Sequence, residues 1–312
     1  TRQHSVNNHS DRVNFIWSVA DKLRGTYKQS EYGRVILPLV VLRRLDCVLE
    51  PTRAAVLSEA RRTEGQPPEL RDRLLQKAAG QPFYNTSHLV LRSLSREEAS
   101  QAHWKGFASL AVPSHQGANL ASYIAAFSAH AHRIMEYFRF EQQIERMEQA
   151  DLLFSVIREV VRVDLHPAQV DNHAMGQIFE ELIRRFSEQS NETAGEHFTP
   201  RDVIRLMVNV LLSEDDEALT TPGIIRTVYD PACGTGGMLS VAEAHAKDHN
   251  RDATMELFGQ ELNTEAYAIC QSDMMLRGHK AENIAFGNSF TKDGHPDGRF
   301  HYSLSNPPFG VE

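Results

Sequence analysis

The chain has 312 residues, enough for about two domains of ordinary size. Its formal net charge is −8, yet residues 1–62 hold 11 Lys and Arg against 6 Asp and Glu, so the remainder carries −13. An acidic protein binds DNA poorly by itself, because duplex affinity comes largely from neutralising phosphates. Two compatible roles stay open for the basic segment: it attracts DNA, or it packs on the acidic part of the chain.

The three cysteines, Cys47, Cys233 and Cys270, lie far apart and form neither a disulfide framework nor a zinc-ligand pattern. The histidines show no ligand spacing either, so we predict no metal site. No signal peptide is recognisable, and no apolar run approaches the roughly 18 residues of a membrane span. These features predict a cytoplasmic protein that does not associate with membranes.

The first half of the chain is predicted to be helical, because its apolar residues recur every three or four positions. The predicted helices cover residues 11–24, 31–50, 68–79, 119–137, 141–163 and 171–187. Pro38 predicts either a helix start or a kink. Residues 81–116 are irregular by pattern. The pattern breaks at Leu165-His166-Pro167, which predicts a helical domain over residues 1–165 and a second domain over residues 166–312.

Strand signals begin only after residue 220 and then alternate with helices. The predicted strands are 225–229, 257–260, 284–286 and 301–304, and the helices between them are 237–247 and 263–278. Such alternation predicts an α/β fold with a parallel sheet and right-handed crossovers. Ligands of these sheets bind beyond the carboxyl ends of the strands, where the polar motifs of this chain lie.

A glycine-rich segment, Asp230–Gly237, follows the first predicted strand. Glycines let the backbone lie against a ligand, and the next helix presents free N–H groups to it. The spacing differs from the Gly-x-Gly-x-x-Gly of dinucleotide folds, and a tight connection is the alternative explanation. Cys233 within it is predicted to be a packing residue. The predicted cofactor ligands here are Asp230, Pro231, Gly234, Thr235, Gly236 and Gly237.

Further polar residues stand at the next strand ends. Glu261 can accept hydrogen bonds from both hydroxyls of a ribose, unless it is only a solvated carboxylate. Asn288 can bond the adenine edge of a cofactor and Phe290 can stack on it; the alternative is a turn with a core aromatic. Together with the glycine-rich segment, these residues predict a site for S-adenosyl-L-methionine.

An upstream segment, Glu196–Asp202, is predicted to open a helix. Thr199, Pro200 and Asp202 form a capping-box-like start. The helix N-terminus can also face the carboxylate of the cofactor. The residues of this segment assigned to cofactor binding are Glu196, His197, Phe198, Thr199 and Pro200.

The tetrapeptide Asn306-Pro307-Pro308-Phe309 follows the last predicted strand. The amine of adenine is a weak nucleophile because its lone pair is delocalised into the ring. Acceptors at the Asn306 side-chain oxygen and the Pro307 carbonyl would favour a pyramidal nitrogen. Phe309 offers a stacking face worth about 1–3 kcal/mol to an extruded base, comparable to the cost of flipping it. We predict Asn306, Pro307 and Phe309 to be catalytic; a rigid turn is the alternative.

Nearly the whole chain resembles the modification (methyltransferase) subunit of type I restriction–modification systems. Phe15–Gly25, Tyr32–Pro38 and Leu42–Asp46 resemble the N-terminal helical domain of that family. The later motifs resemble gamma-type adenine N6 methyltransferases in their order: Thr199-Pro200, Asp230–Gly237, Glu261, Asn288 and the Asn306 tetrapeptide. Asn288 is a departure, because related enzymes often have Asp there.

The resemblance implies a Rossmann-like methyltransferase domain after the helical domain, and methyl transfer from S-adenosyl-L-methionine to adenine N6 in DNA. It implies assembly of two modification subunits with one specificity subunit, which selects the DNA site, and association with a restriction subunit. Related sheets have further strands, so we expect the domain to be truncated after its fourth strand. Two alternatives remain: methylation of a protein glutamine amide, and a non-catalytic cofactor-binding scaffold.

Overall fold

The structure is a computed structural model that describes residues 9–87, 116–189 and 199–307. The chain divides into two compact units, Thr1–Leu182 and Ile183–Glu312. The domain boundary that the sequence predicts at residue 165 stays a prediction.

Among the residues described, the regular secondary structure of the first unit is helical, with two isolated β-bridges beside it. Its helices are α1 (His9–Leu23), α2 (Tyr32–Leu49), α3 (Arg53–Arg62), α4 (Pro68–Ala79), α5 (Gln116–Ala125), α6 (Ala129–Tyr137), α7 (Phe140–Gln149) and α8 (Leu153–Val161). A ninth, α9 (Asn172–Gln189), begins in the first unit and continues into the second. Fifteen of the 18 residues of α2 are buried, so this helix forms the centre of the core. No helix in the described ranges combines the length and apolar character that a membrane span needs.

Two long predicted helices are each interrupted. The segment 119–137 is divided between α5 and α6, and the segment 141–163 between α7 and α8. Asp151, between α7 and α8, has a φ of 56°, which a continuous α-helix excludes. Apolar periodicity persists across both breaks, so the pattern alone does not reveal them. Pro38 lies inside α2 rather than at its start, and α3 was not predicted.

Arg44 ties the segment after α8 to α2. Its side chain is almost fully buried, and Nη1 donates to the carbonyls of Leu165 (2.6 Å) and Val170 (2.7 Å). Nη2 donates to Oδ1 of Asn172 at 2.9 Å, at the start of α9. One guanidinium therefore donates to three acceptors, two in the segment before α9 and one at the start of that helix.

The basic excess of residues 1–62 is smaller at the surface than in the sequence. Arg12, Arg44 and Arg53 are buried, and so is Asp46, which pairs with Arg53. Residues 9–62, which the structure describes, hold ten basic and six acidic residues, of which seven and five are not buried. A good part of the positive charge thus serves the interior of the first unit and is not available to phosphates.

The second unit is an α/β structure with a parallel sheet. Its elements are α10 (Arg201–Leu212), α11 (Asp216–Thr220), β1 (Ile225–Asp230), α12 (Gly237–His249), β2 (Thr254–Glu261), α13 (Thr264–Arg277), β3 (Ile284–Phe286) and β4 (Tyr302–Ser303). The strand order is β3-β2-β1-β4, and every pairing is parallel. The predicted parallel α/β fold is confirmed, although β2 begins earlier and β4 is shorter than expected.

The two faces of the sheet are covered differently. Right-handed crossovers through α12 and α13 place both helices on one face. On the other face, Phe300 stacks on Tyr229 with ring centroids 4.5 Å apart and tilts against Phe258 at 5.0 Å. His295 meets the same two rings edge-on. The link between β3 and β4, which contains no helix, therefore closes this face with aromatic side chains.

Arg44→Met should destabilise the protein by roughly 2–4 kcal/mol, because methionine fills similar space but leaves buried acceptors without donors. Arg61→Met on the exposed side of α3 is the matched control and should change stability by less than about 0.5 kcal/mol. Urea unfolding of both variants measures the difference. Similar stabilities for the two variants would contradict the role assigned to Arg44.

Candidate functional site

The carboxyl ends of β1 and β2 are joined through Glu261. Its Oε2 accepts the Gly234 N–H at 2.8 Å, and its Oε1 accepts the Asn263 N–H at 2.6 Å. The Cys233 N–H donates to the Gln260 carbonyl at 3.0 Å, directly beside this contact. The carboxylate is thus held between the glycine turn and the start of α13. Each oxygen keeps a further lone pair with which a ribose hydroxyl can be bound.

The glycine turn needs glycine at Gly236 for two reasons. Its φ is 87°, and a Cβ there would lie 2.9 Å from Sγ of Cys270. Its N–H donates to the Cys233 carbonyl at 2.8 Å, which closes the turn. As the N-cap of α12, Gly236 provides no side-chain hydrogen bond to the first turn of that helix. Such an N-terminus suits a ligand with acceptor or anionic groups.

Cys233 and Cys270 pack against each other beneath this turn. Their sulfur atoms are 3.8 Å apart and both residues are buried. The hydrogen bond with Cys270, together with burial, raises the pKa of Cys233. A thiol that stays protonated is a poor nucleophile, so Cys233 is a packing residue, as its sequence context predicts.

Asp230 is buried at the end of β1. Its Oδ1 accepts the Ala232 N–H at 3.0 Å. Burial, and to a smaller extent the charge of Glu261, raise the pKa of this carboxyl to about 7. The hydrogen bonds with the Ala232 N–H and with Ser305 act in the opposite direction and lower it. Asp230 thereby connects the glycine turn with the residue that precedes Asn306.

The loop after β3 carries Asn288 and Phe290 at its tip. Oδ1 of Asn288 accepts the Phe290 N–H at 2.9 Å, and the Phe290 side chain is 94% exposed. Phe290 is therefore not a core aromatic, which was the alternative. The Ser289 hydroxyl donates to the Pro231 carbonyl and so joins this loop to the glycine turn. Thr235, half-buried, lies within that turn.

Asn306 follows β4 and is exposed. Its Nδ2 donates to Oγ1 of Thr199 at 3.0 Å, which brings two predicted motifs together across 107 positions of sequence. With the NH2 group engaged, the amide oxygen is the part of Asn306 that remains to accept from an amine. Pro307 is exposed as well. The predicted site residues Glu196, His197, Phe198 and Phe309 lie outside the described residues.

The predicted capping-box-like start at Thr199 is wrong, although a helix does begin there. Pro200 is the N-cap of α10 and makes no side-chain capping bond. Thr199 stands one residue too early for its hydroxyl to reach the first helical amides, and that hydroxyl accepts from Asn306 instead. A long-range partner thus replaces the local one.

Sequence reasoning missed the group that anchors β4. The Tyr302 hydroxyl donates to Asp215, which also accepts Nε of Arg226 at 3.0 Å. These hydrogen bonds, from Arg226 first and Tyr302 second, hold the pKa of Asp215 well below its usual range. Burial and the bond to Asp215 raise the pKa of Tyr302 to about 12. A strand of two residues is thereby fixed four positions before Asn306.

Two further residues at the site were also missed. Leu262, directly after Glu261, is 51% exposed, so an apolar side chain faces solvent next to the predicted ribose ligand. Gln260 is fully buried and bonds the loop after β3. The available sequence signals were a leucine directly after a strand-ending acid and a glutamine directly before it. No cluster of metal-ligating side chains occurs among residues 9–87, 116–189 and 199–307.

Gly236→Ala should cost roughly 1–3 kcal/mol more than Gly223→Ala, because only the first substitution drives a methyl group into a neighbour. Gly223 has a φ of 72° and no atom within 4 Å of an added Cβ, so it reports the backbone strain alone. Thermal unfolding of the two variants gives the comparison. The double variant Gly236→Ala/Cys270→Ala should recover part of the loss; no recovery would show that Cys270 is not the obstacle.

Asp230→Asn should change how stability depends on pH. An unfolded Asp titrates near about 3.9, whereas the pKa of folded Asp230 is raised to about 7. Between these values the folded state holds a proton that the unfolded chain releases, so Asp230 lowers stability as pH rises. The stability of the variant relative to the wild type should therefore rise between about pH 4 and about pH 7, as urea unfolding measures. The exposed Asp216→Asn should give no such gain, and parallel pH curves for wild type and Asp230→Asn would refute the expectation.

Comparison with known proteins matches both halves of the chain. Residues 13–160 match the family model of the HsdM N-terminal domain, and residues 170–312 match the model of N-6 DNA methylases. The MjaIX methylase subunit of a type I restriction enzyme from Methanocaldococcus jannaschii is 24% identical over 302 residues, covering 95% of this chain and 50% of that protein. The EcoEI methylase subunit from Escherichia coli is 30% identical over 180 residues, 55% of this chain and 34% of that protein.

A solved structure shares the fold. The methyltransferase subunit of a type I restriction–modification system from Streptococcus thermophilus superimposes with a TM-score of 0.66 at 22% identity, covering 96% of this chain and 63% of that one. This likeness confirms the order of a helical unit followed by a methyltransferase-type α/β unit. The chain spans half or less of the length of the two curated relatives described above.

Proposed function

The chain belongs to the family of methylase subunits of type I restriction–modification systems, and on this premise we propose that it methylates the N6 amine of adenine in DNA with S-adenosyl-L-methionine. The observation that carries the proposal is the Asn306–Thr199 hydrogen bond. It joins the predicted target-amine loop to the start of α10, which is predicted to face the cofactor. Both lie in the second unit, which also contains the glycine turn and Glu261.

The residues present fit the cofactor. Glu261 keeps lone pairs for the ribose hydroxyls, and the first turn of α12 receives no side-chain cap from Gly236, so its N–H groups can face a ligand. We assign the adenine to Asn288, Phe290 and the exposed Leu262. The α12 N-terminus and the Thr199-Pro200 start of α10 take the polar methionine end. When bound, S-adenosyl-L-methionine supplies an electrophilic methyl group on a sulfonium centre.

The target amine is assigned to the Asn306 loop. The Asn306 side-chain oxygen and the Pro307 carbonyl accept its two hydrogens, which turns the lone pair of the nitrogen away from the ring and towards the methyl donor. Asn306 keeps its orientation because Thr199 holds Nδ2. Phe309 is assigned as the face on which the extruded base stacks, which offsets part of the few kcal/mol that flipping costs.

DNA, a specificity subunit, a second copy of this subunit and a restriction subunit are the proposed partners. A net charge of −8, with several N-terminal arginines buried, supports delegation of sequence reading to another chain. A cytoplasmic location is part of the proposal, because the proposed substrate is chromosomal DNA. The match of residues 13–160 to the HsdM N-terminal domain disfavours glutamine methylation.

Two substitutions in the full-length protein, assembled with its specificity subunit, separate the proposed roles. Asn306→Ala should abolish methyl transfer to DNA and leave the affinity for S-adenosyl-L-homocysteine within about twofold, because Asn306 is assigned to the target amine. Glu261→Ala should weaken that affinity roughly tenfold or more, as the loss of a charged hydrogen bond predicts. Calorimetry and a radiolabelled methyl-transfer assay measure the two effects.

Asn209→Ala, on the exposed side of α10, is the control and should retain both properties. Substantial methylation by Asn306→Ala would remove Asn306 from the chemistry. Unchanged affinity in Glu261→Ala would remove Glu261 from the cofactor site.

A further inference from the structure

Gln260 is a fully buried amide at the end of β2, and both its NH2 group and its carbonyl oxygen are hydrogen-bonded. Its Nε2 donates to the carbonyls of Gly287 (3.1 Å) and Lys292 (2.7 Å). Its Oε1 accepts the Gly294 N–H at 2.9 Å. One side chain therefore binds three backbone groups of the segment that follows β3.

These three bonds span residues 287–294, the loop whose tip carries Asn288 and Phe290. The tip closes on itself, since the N–H of Lys292 donates to the Asn288 carbonyl at 2.9 Å. Phe290 is 94% exposed and has no core packing to fix it. Three kinds of contact therefore hold the tip: the bonds of Gln260 beneath it, the Gly287 N–H bond to the Glu261 carbonyl at 2.9 Å, and the Ser289 hydroxyl bond to the Pro231 carbonyl.

The chemistry of this contact requires an amide. The loop presents two carbonyls and one N–H, which need two donors and one acceptor from a single side chain. Methionine would fill the space and leave all three backbone groups unpaired. Glutamate would place a carboxylate oxygen against two carbonyls, so the loop would have to move or the acid would have to hold a proton. Buried groups without partners are costly, which makes displacement of the loop the expected response.

We propose that Gln260 is the positioning residue of the adenine-binding loop: it fixes Asn288 and Phe290 at the place where the cofactor enters. It thereby sets the affinity for adenosyl ligands without touching them. The inference rests on the proposed cofactor site and goes beyond it, since it assigns the geometry of that site to a residue in the interior of the sheet.

The chain offers a matched control in a second buried glutamine. Gln271 on α13 places Nε2 within hydrogen-bonding distance of Tyr267 Oη (2.7 Å) and of the carbonyls of Ala281 (2.9 Å) and Ile284 (3.1 Å). It is nearly as buried as Gln260, but it contacts the turn before β3 and the start of that strand, not the loop after it. Substitution of Gln271 therefore reports the general effect of disturbing a buried amide.

The experiment compares Gln260→Glu with Gln271→Glu in the full-length protein, with S-adenosyl-L-homocysteine as the calorimetric probe. Both variants should lose thermal stability to a similar extent. Affinity should fall at least tenfold in Gln260→Glu and stay within twofold of wild type in Gln271→Glu. In the background Phe290→Ala, Gln260→Glu should cost clearly less affinity, because the group that it positions is gone.

Gly294→Ala tests the same contact without altering the buried amide, in case Gln260→Glu fails to fold. A Cβ at Gly294 would lie 2.3 Å from Cβ of Ala285, so the loop must shift, and a comparable loss of affinity is expected. Equal affinities in Gln260→Glu and Gln271→Glu, full additivity with Phe290→Ala, or wild-type affinity in Gly294→Ala would each overturn the inference. Absence of binding by the wild-type protein would instead overturn the proposed function.

Discussion

The arrangement of the strand ends in the second unit depends on the side-chain carboxylate of Glu261. It accepts the N–H of Gly234 from the turn after β1 and the N–H of Asn263 at the start of α13. The turn after β1 and the start of α13 are thereby joined at the carboxyl ends of the two central strands, next to the buried Asp230. Burial raises the pKa of Asp230, and the like charge of Glu261 raises it further, so the side chain that joins these segments also affects the protonation of its neighbour.

The parallel sheet could be predicted from the sequence because its signals are local. Short β-rich runs end in polar residues, and glycines stand where a tight turn needs them, as at Gly236 and Gly278. Asn263 caps α13 through its own side chain, which also depends only on near neighbours. Features of this kind are encoded within a few positions of one another.

The contacts that sequence reasoning missed join distant positions. Thr199 bonds Asn306 rather than its own helix, because the end of β4 brings that amide within reach. Gln260 resembles an ordinary polar residue until the loop after β3 folds over it. Asp215, Arg226 and Tyr302 form one group although they come from three elements. None of these partnerships has a spacing that a local pattern could show.

The segment 287–301 serves two purposes at once, and this limits how it can diverge. Its first part carries the proposed adenine contacts, while Phe300 and His295 in its second part shield Tyr229 and Phe258. Fifteen residues without helix or strand are unusual inside a compact domain unless they have a task. Redesign of the proposed cofactor site should therefore confine changes to residues 288–291. Insertions nearer to His295 would uncover one face of the sheet, so cofactor preference and solubility would change together.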